Sequence, residues 1–199
     1  AAAQAIASGF WAIRRGECDR ALVGGHDSMD HPMGLLSFSV LGALSTSLCR
    51  PFDKDRDGFM LGEGAGFLVL ERLDIALERG ATILAEIKGA GTSMDAWNPT
   101  APHPKGEGAM RAMERALKDA KLQPSAIGYV NAHGTGTPLG DQAESQAIYR
   151  LFGGSVPVSS IKGAIGHCIA AAGAVEAVAC IGALKEGLLL GTTGLVEQD

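Results

Sequence analysis

The residues best suited to chemistry sit in two short stretches. Residues 129–144, YVNAHGTGTPLGDQAE, run from an apolar strand into a lone His133, then a Gly/Thr/Pro-rich turn, then an acidic helix start. Residues 158–173, VSSIKGAIGHCIAAAG, repeat the design with Lys162, then His167 on a glycine-rich turn, then an apolar helix directly after. The glycines let backbone approach a ligand closely, and the hydroxyls of Thr135 and Thr137 can hydrogen-bond it. A helix N-terminus disfavours a charged imidazole, so His167 is expected to be neutral. A neutral imidazole can donate one hydrogen bond to a developing oxyanion. Two such turns, each ending a strand, would bring two imidazoles to one edge of a sheet. Taken singly, His133 also fits an incidental surface turn and His167 a structural histidine, so function depends on whether the two meet.

The other polar clusters carry less. GTGTPLG has neither GxGxxG nor GxxxxGKS spacing, which argues against a phosphate cradle. DKDRDGFMLGE resembles a calcium loop, but the pattern needs its last acidic ligand where Gly64 stands, and Glu63 falls one short. HDSMDH, with His26, Asp27, Asp30 and His31, matches no standard metal spacing and reads as a polar loop. Asp141 and Glu144 open a helix, where carboxylates stabilise the dipole, and read as structural. Cys168 lies beside His167, where a helix N-terminus would lower a thiol pKa, but sequence neighbours point apart and it is a weak nucleophile candidate.

These residues need elements to position them. Helices are expected over residues 1–15, 74–79, 108–121, 141–152 and 168–186, from apolar periodicity and from Gly16 and Gly80 as stops. Strands are expected over 20–25, 66–71, 83–91, 127–132 and 156–160. Residues 26–48 are mixed with one helical segment, and 50–64 and 94–105 read as loops. Strands alternating with helices imply an α/β protein with a mostly parallel sheet. The Ala-rich helices near the two ends echo one another, which suggests two similar halves.

Composition bounds the alternatives. The 199 residues suffice for one large domain or two modest halves, and 46% hydrophobic against 20% charged indicates a buried core. The net charge of −5, with no Lys/Arg run, argues against nucleic acid or anionic lipid as partner. Four widely spaced cysteines without CxxC read as free thiols in a reducing, cytoplasmic setting. The most apolar run, residues 168–184, is interrupted by Glu176 and is too weak to span a membrane. No signal peptide is visible, and the opening AAAQAIASGFWAIRRGE begins mid-helix without Met, so an internal fragment is expected.

Three segments, RPFDKDRDGFMLGEGAGFLVLE, YVNAHGTGTPLGDQAE and VSSIKGAIGHCIAAAGAVEA, together resemble the β-ketoacyl-acyl carrier protein synthases, the condensing enzymes of fatty-acid and polyketide assembly. The resemblance covers essentially the whole chain. It implies a thiolase-like α-β-α-β-α layered fold, present in part. Residues 1–81 would be the end of the first half and 82–199 most of the second. It assigns His133 and His167 as the paired active-site histidines and Lys162 as a lysine bonded into the same site. Thr135 and Thr137 would line the tunnel for the carrier's phosphopantetheine arm, with Thr100 near its mouth. The family's nucleophilic Cys would lie just upstream of Ala1, and its Gly/Phe-rich gating loop has no counterpart here. The implied chemistry is decarboxylative Claisen condensation without metal or redox cofactor, in a homodimer or ketosynthase heterodimer. The alternative is a non-catalytic partner of the chain-length-factor kind. The family's GHxxGAAG reads GHCIAAAG, with Ala170 in place of Gly, which is tolerable if φ is negative there. The TTGLVEQD stretch departs from the commoner pattern and leaves the fatty-acid or polyketide branch open.

Overall fold

The computed structural model describes residues 1–199. Its longest ladder joins β1 (Arg20–Ser28) to β2 (Glu63–Glu71), antiparallel from Arg20 opposite Glu71 to Ser28 opposite Glu63. The expected parallel sheet is therefore only partly present: β3 (Val130–Asn131) and β4 (Val158–Ser159) pair in parallel over two residues. Alternation of strands and helices shows that a helix intervenes but not which way the chain returns. Here α2 (Pro32–Val40) and a long loop turn it back antiparallel.

Two alanine-rich helices, α1 (Ala2–Arg14) and α7 (Ala172–Glu186), lie side by side against the β1–β2 ladder. Small residues permit this approach. A Cβ on Gly173 would fall 2.7 Å from the Ala3 side chain, and one on Gly66 would fall 2.8 Å from the Ala174 backbone. The helices α4 (Glu107–Ala120) and α5 (Pro138–Phe152) pack together, with Leu117 of the first and Ala143 and Ala147 of the second buried. A short α3 (Leu73–Glu78) follows β2.

The strand expected over residues 83–91 is not formed, and these residues join no ladder. They lie on α4 instead, where a Cβ on Gly91 would sit 2.1 Å from the Ala112 carbonyl oxygen. The Ala90 N–H is capped by the Asp119 carboxylate at 3.0 Å, a side chain that a ladder reading does not anticipate. Two helix starts also differ. α5 begins at Pro138, whose missing N–H costs nothing in a first turn. α7 begins at Ala172, so His167 does not immediately precede it; His167 follows a short α6 (Lys162–Ile165), and a turn through Ile169 at φ +39° separates it from α7. Ala170 does not have positive φ, so the residue that replaces the family glycine is accommodated and the unusual backbone falls on Ile169.

Candidate functional site

Parallel pairing of β3 and β4 makes their following turns leave from the same end, His133 after one and Lys162 after the other. A third segment stitches the turns together. The His167 N–H donates to the Met60 carbonyl at 2.8 Å, and Gly62 N–H donates to the His167 carbonyl at 3.1 Å. Two residues before Met60, Gly58 N–H donates to the Gly136 carbonyl at 2.9 Å. Residues 58–62 thus hold both histidine turns at once. The polar, glycine-punctuated loop of the sequence is the clasp of the site.

The two imidazoles meet edge to face, with ring centroids 5.3 Å apart and planes at 83°. The Phe59 ring also meets His167 edge to face, with centroids 5.2 Å apart. Nδ1 of His167 accepts the Ile169 N–H at 3.2 Å, which leaves the ring proton on Nε2. His133 is exposed to solvent as a residue, yet protein packs densely around its imidazole. That surrounding shell, and then the Lys162 ammonium, lower its pKa to about 4. Burial, then His133 and Lys162, lower His167 to about 3, against an opposing pull from Asp27. Both rings are therefore neutral near pH 7. The cause expected for His167, a helix N-terminus, gives way to burial and two nearby groups.

Lys162 is the largest fully buried side chain of the protein. Its Nζ donates to the His133 carbonyl at 2.6 Å and to the Glu176 carboxylate on α7. Burial raises the Glu176 pKa and Lys162 opposes the rise. Two further carboxylates shape the first turn. Glu144 accepts the N–H groups of His133 and Gly134, each at 2.7 Å. Asp141 accepts those of Phe52 at 2.8 Å, Thr135 at 3.0 Å and Gly136 at 3.1 Å. Both acids read as helix-start residues in the sequence. Their spacing from HGTG was the available signal, since a helix start packed behind a turn can turn its carboxylates back onto the turn's amides. Glu176 carried no signal beyond being a lone acid in an apolar run.

Beside His133 lies a cavity of about 300 Å³ lined by Thr135, Thr137, Glu144, Asp95 and Pro102. The hydroxyls of Thr135 and Thr137 are bonded to each other at 3.0 Å. His167 and Lys162 do not line it, and neither does Thr100, which is exposed and folded onto Asn98. Cys168 is buried, donates to the Glu63 carbonyl at 3.5 Å, and has its pKa raised by burial, the opposite of an activated thiolate. In HDSMDH, Asp27 accepts the Ala170 N–H at 3.0 Å and His31 caps α2, so these side chains serve backbone. The first turn of α1 docks on the same region, with the Ala2 N–H donating to the Ala170 carbonyl at 2.9 Å. No helix is long and apolar enough to cross a membrane.

Helices packed against an antiparallel ladder, and two imidazoles joined by a strand-like clasp, define a layered α/β protein with a two-histidine site. Residues 1–76 match the N-terminal domain and 84–195 the C-terminal domain of the β-ketoacyl synthase family. The chain is 43% identical over 202 residues to 3-oxoacyl-[acyl-carrier-protein] synthase 2 of Staphylococcus aureus, covering 98% of this chain and 50% of the relative. Among solved structures, it is similar to the ishigamide ketosynthase/chain length factor, at 42% identity and a TM-score of 0.95, covering 100% of this chain and 49% of the other. It is also similar to a type II PKS ketosynthase solved with its acyl-carrier protein, at 35% identity and a TM-score of 0.96, covering 100% and 51%. The chain belongs to the β-ketoacyl synthase family and has its thiolase-type fold. It spans about half the length of the curated relatives it matches.

Proposed function

We propose that this chain is part of a ketosynthase that condenses malonyl-acyl carrier protein with an enzyme-bound acyl group by decarboxylative Claisen condensation. The observation that carries the reading is the pair of neutral imidazoles at 5.3 Å, one with its proton fixed on Nε2. Loss of CO2 from a malonyl thioester leaves an enolate whose oxygen carries the charge. His133 and His167 donate hydrogen bonds to that oxygen, each such donor being worth about 3 kcal/mol. The enolate carbon then attacks the acyl thioester, and the enzyme thiolate leaves. Lys162 supports the site by holding the His133 carbonyl, so its role is positional.

Thr135 and Thr137 face the cavity that would take the phosphopantetheine arm, with Thr100 outside its lining. The acylated Cys would stand just before Ala1, and the contact from Ala2 to the Ala170 turn supports that placement. Residues 1–81 and 82–199 form the end of the first half and most of the second. We further assign an acyl carrier protein as partner, a homodimer or ketosynthase heterodimer as the assembly, and the cytoplasm as location, with which the four free cysteines are consistent. A non-catalytic partner is less well supported, because His133, His167 and Lys162 are all present. Identification of the residue before Ala1 as Cys supports the enzyme, and another residue there the partner. In the full-length enzyme, His133→Ala abolishes CO2 release from malonyl-carrier. An unchanged rate removes His133 from the mechanism.

A further inference from the structure

The clasp contains a second buried cation that the condensation chemistry does not use. The Arg56 side chain is 7% exposed. Its Nη1 donates to the Asp53 carbonyl at 2.9 Å and to the Asp199 carboxylate at 2.7 Å, and Nη2 donates to the Pro138 carbonyl at 3.1 Å. Its Nε is buried without a hydrogen-bond partner, 3.9 Å from Asp141 Oδ2. Asp141 is 1% exposed and is the acceptor for three backbone N–H groups, two of them in the histidine turn. A buried carboxylate accepts these donors fully only while ionised, and a guanidinium is the cation that cannot lose its charge there.

We propose that Arg56 is a positioning residue for the reaction: by keeping the buried Asp141 carboxylate ionised, it fixes the turn of residues 134–137 that follows His133. The inference rests on the condensation reading only for its activity readout. The groups facing Asp141 are Arg56 from the loop, Glu144 one turn on in α5, and the Cys49 thiol, with Asp199 behind Arg56. Burial raises the Asp141 pKa; the amides of Phe52, Gly136 and Thr135 oppose the rise, and Arg56 adds to them. Removing Arg56 moves that balance upward, so Asp141 takes a proton at a higher pH. The proton occupies an oxygen that had accepted an amide, and the turn loosens.

The test uses the full-length enzyme and two readouts against pH: CO2 release from malonyl-carrier, and hydrogen-exchange protection of the Thr135 and Gly136 amides. Arg56→Met is expected to move the acid limb of both upward by about 1 pH unit, the lower end of the effect of an opposite charge at this range. Arg56→Lys restores most of it. In an Asp141→Asn background, which has no proton to gain, Arg56→Met moves neither limb. If Arg56→Met fails to fold, Arg56→Gln, which keeps an amide donor for Pro138, carries the same expectation. A loss of rate by one factor at every pH, or a shift that persists beside Asp141→Asn, overturns the proposal. An enzyme that releases no CO2 at any pH overturns the condensation reading alone, because amide protection still decides the role of Arg56.

Discussion

Replacing Lys162 with Met should separate the stability of the site from its chemistry. The Lys162 side chain is 1% exposed and that of its partner Glu176 is 15% exposed. Methionine matches the aliphatic stem but leaves Glu176 as an uncompensated buried carboxylate, which costs about 3–5 kcal/mol. The His133 carbonyl loses its donor as well. Glu176 can escape part of the penalty by taking a proton, since burial already raises its pKa and Lys162 is the group that opposes the rise. A carboxyl raised in the folded state contributes stability below its unfolded pKa and loses it as pH climbs through the folded value. The deficit of Lys162→Met should therefore be largest at alkaline pH and shrink as pH falls toward the ordinary carboxylate range. Adding Glu176→Gln removes the stranded charge and should recover about 2 kcal/mol or more. CO2 release should stay slow in the double variant, because the His133 carbonyl is still unsupported. The assay is guanidinium unfolding of the full-length enzyme at several pH values, with malonyl-carrier decarboxylation in parallel. A loss under about 1 kcal/mol, a pH-independent loss, or a double variant no more stable than the single one would refute the buried-charge argument.

His133 and His167 are held neutral, at about 4 and about 3. Their depressed values contribute stability that is present above the unfolded imidazole range and lost as pH falls through those values. Replacing both with Asn should move the acid-unfolding midpoint to lower pH, followed by circular dichroism, and an unmoved midpoint counts against burial as the cause. Three N–H donors, from Val196, Glu197 and Asp55, hold Asp53 down at about 2. Asp53→Asn should release the last residues, read as faster proteolysis after residue 190, and wild-type cleavage would show that the tail is held elsewhere. Gly91→Ala drives a methyl into the α4 backbone and should cost about 1–3 kcal/mol in denaturant unfolding; no loss would show that this segment shifts freely.

The site was more legible in the sequence than the sheet was. Glycine-flanked histidines after short apolar runs identify where a strand ends in a reactive turn, and His133 and His167 do meet. Distances between the turns could not be read, because residues 58–62 set them through backbone hydrogen bonds that have no side-chain signature. Asp141 and Glu144 looked like helix caps for a related reason. A carboxylate at a helix start has the same composition whether it bonds its own helix or the preceding turn. Residues 83–91 show the limit of periodicity: β-forming residues do not make a ladder where the segment packs on a helix face and Asp119 meets one of its amides. The antiparallel course of β1 and β2 depended on a long connection whose direction no local pattern encodes.

Asp53 has a consequence for how such a protein is made. Its amide partners Val196 and Glu197 lie 143 and 144 residues further along, and the Asp199 contact of Arg56 spans a similar distance. During translation at about 5–20 residues per second, that separation leaves the loop waiting roughly 7–30 s for the residues that complete it. Throughout that interval Asp53 lacks these donors, and residues 58–62 lack the second of their two histidine turns until His167 is made, 105 residues after Gly62. The two-imidazole site is thus among the last parts of these residues to form, however early its clasp leaves the ribosome.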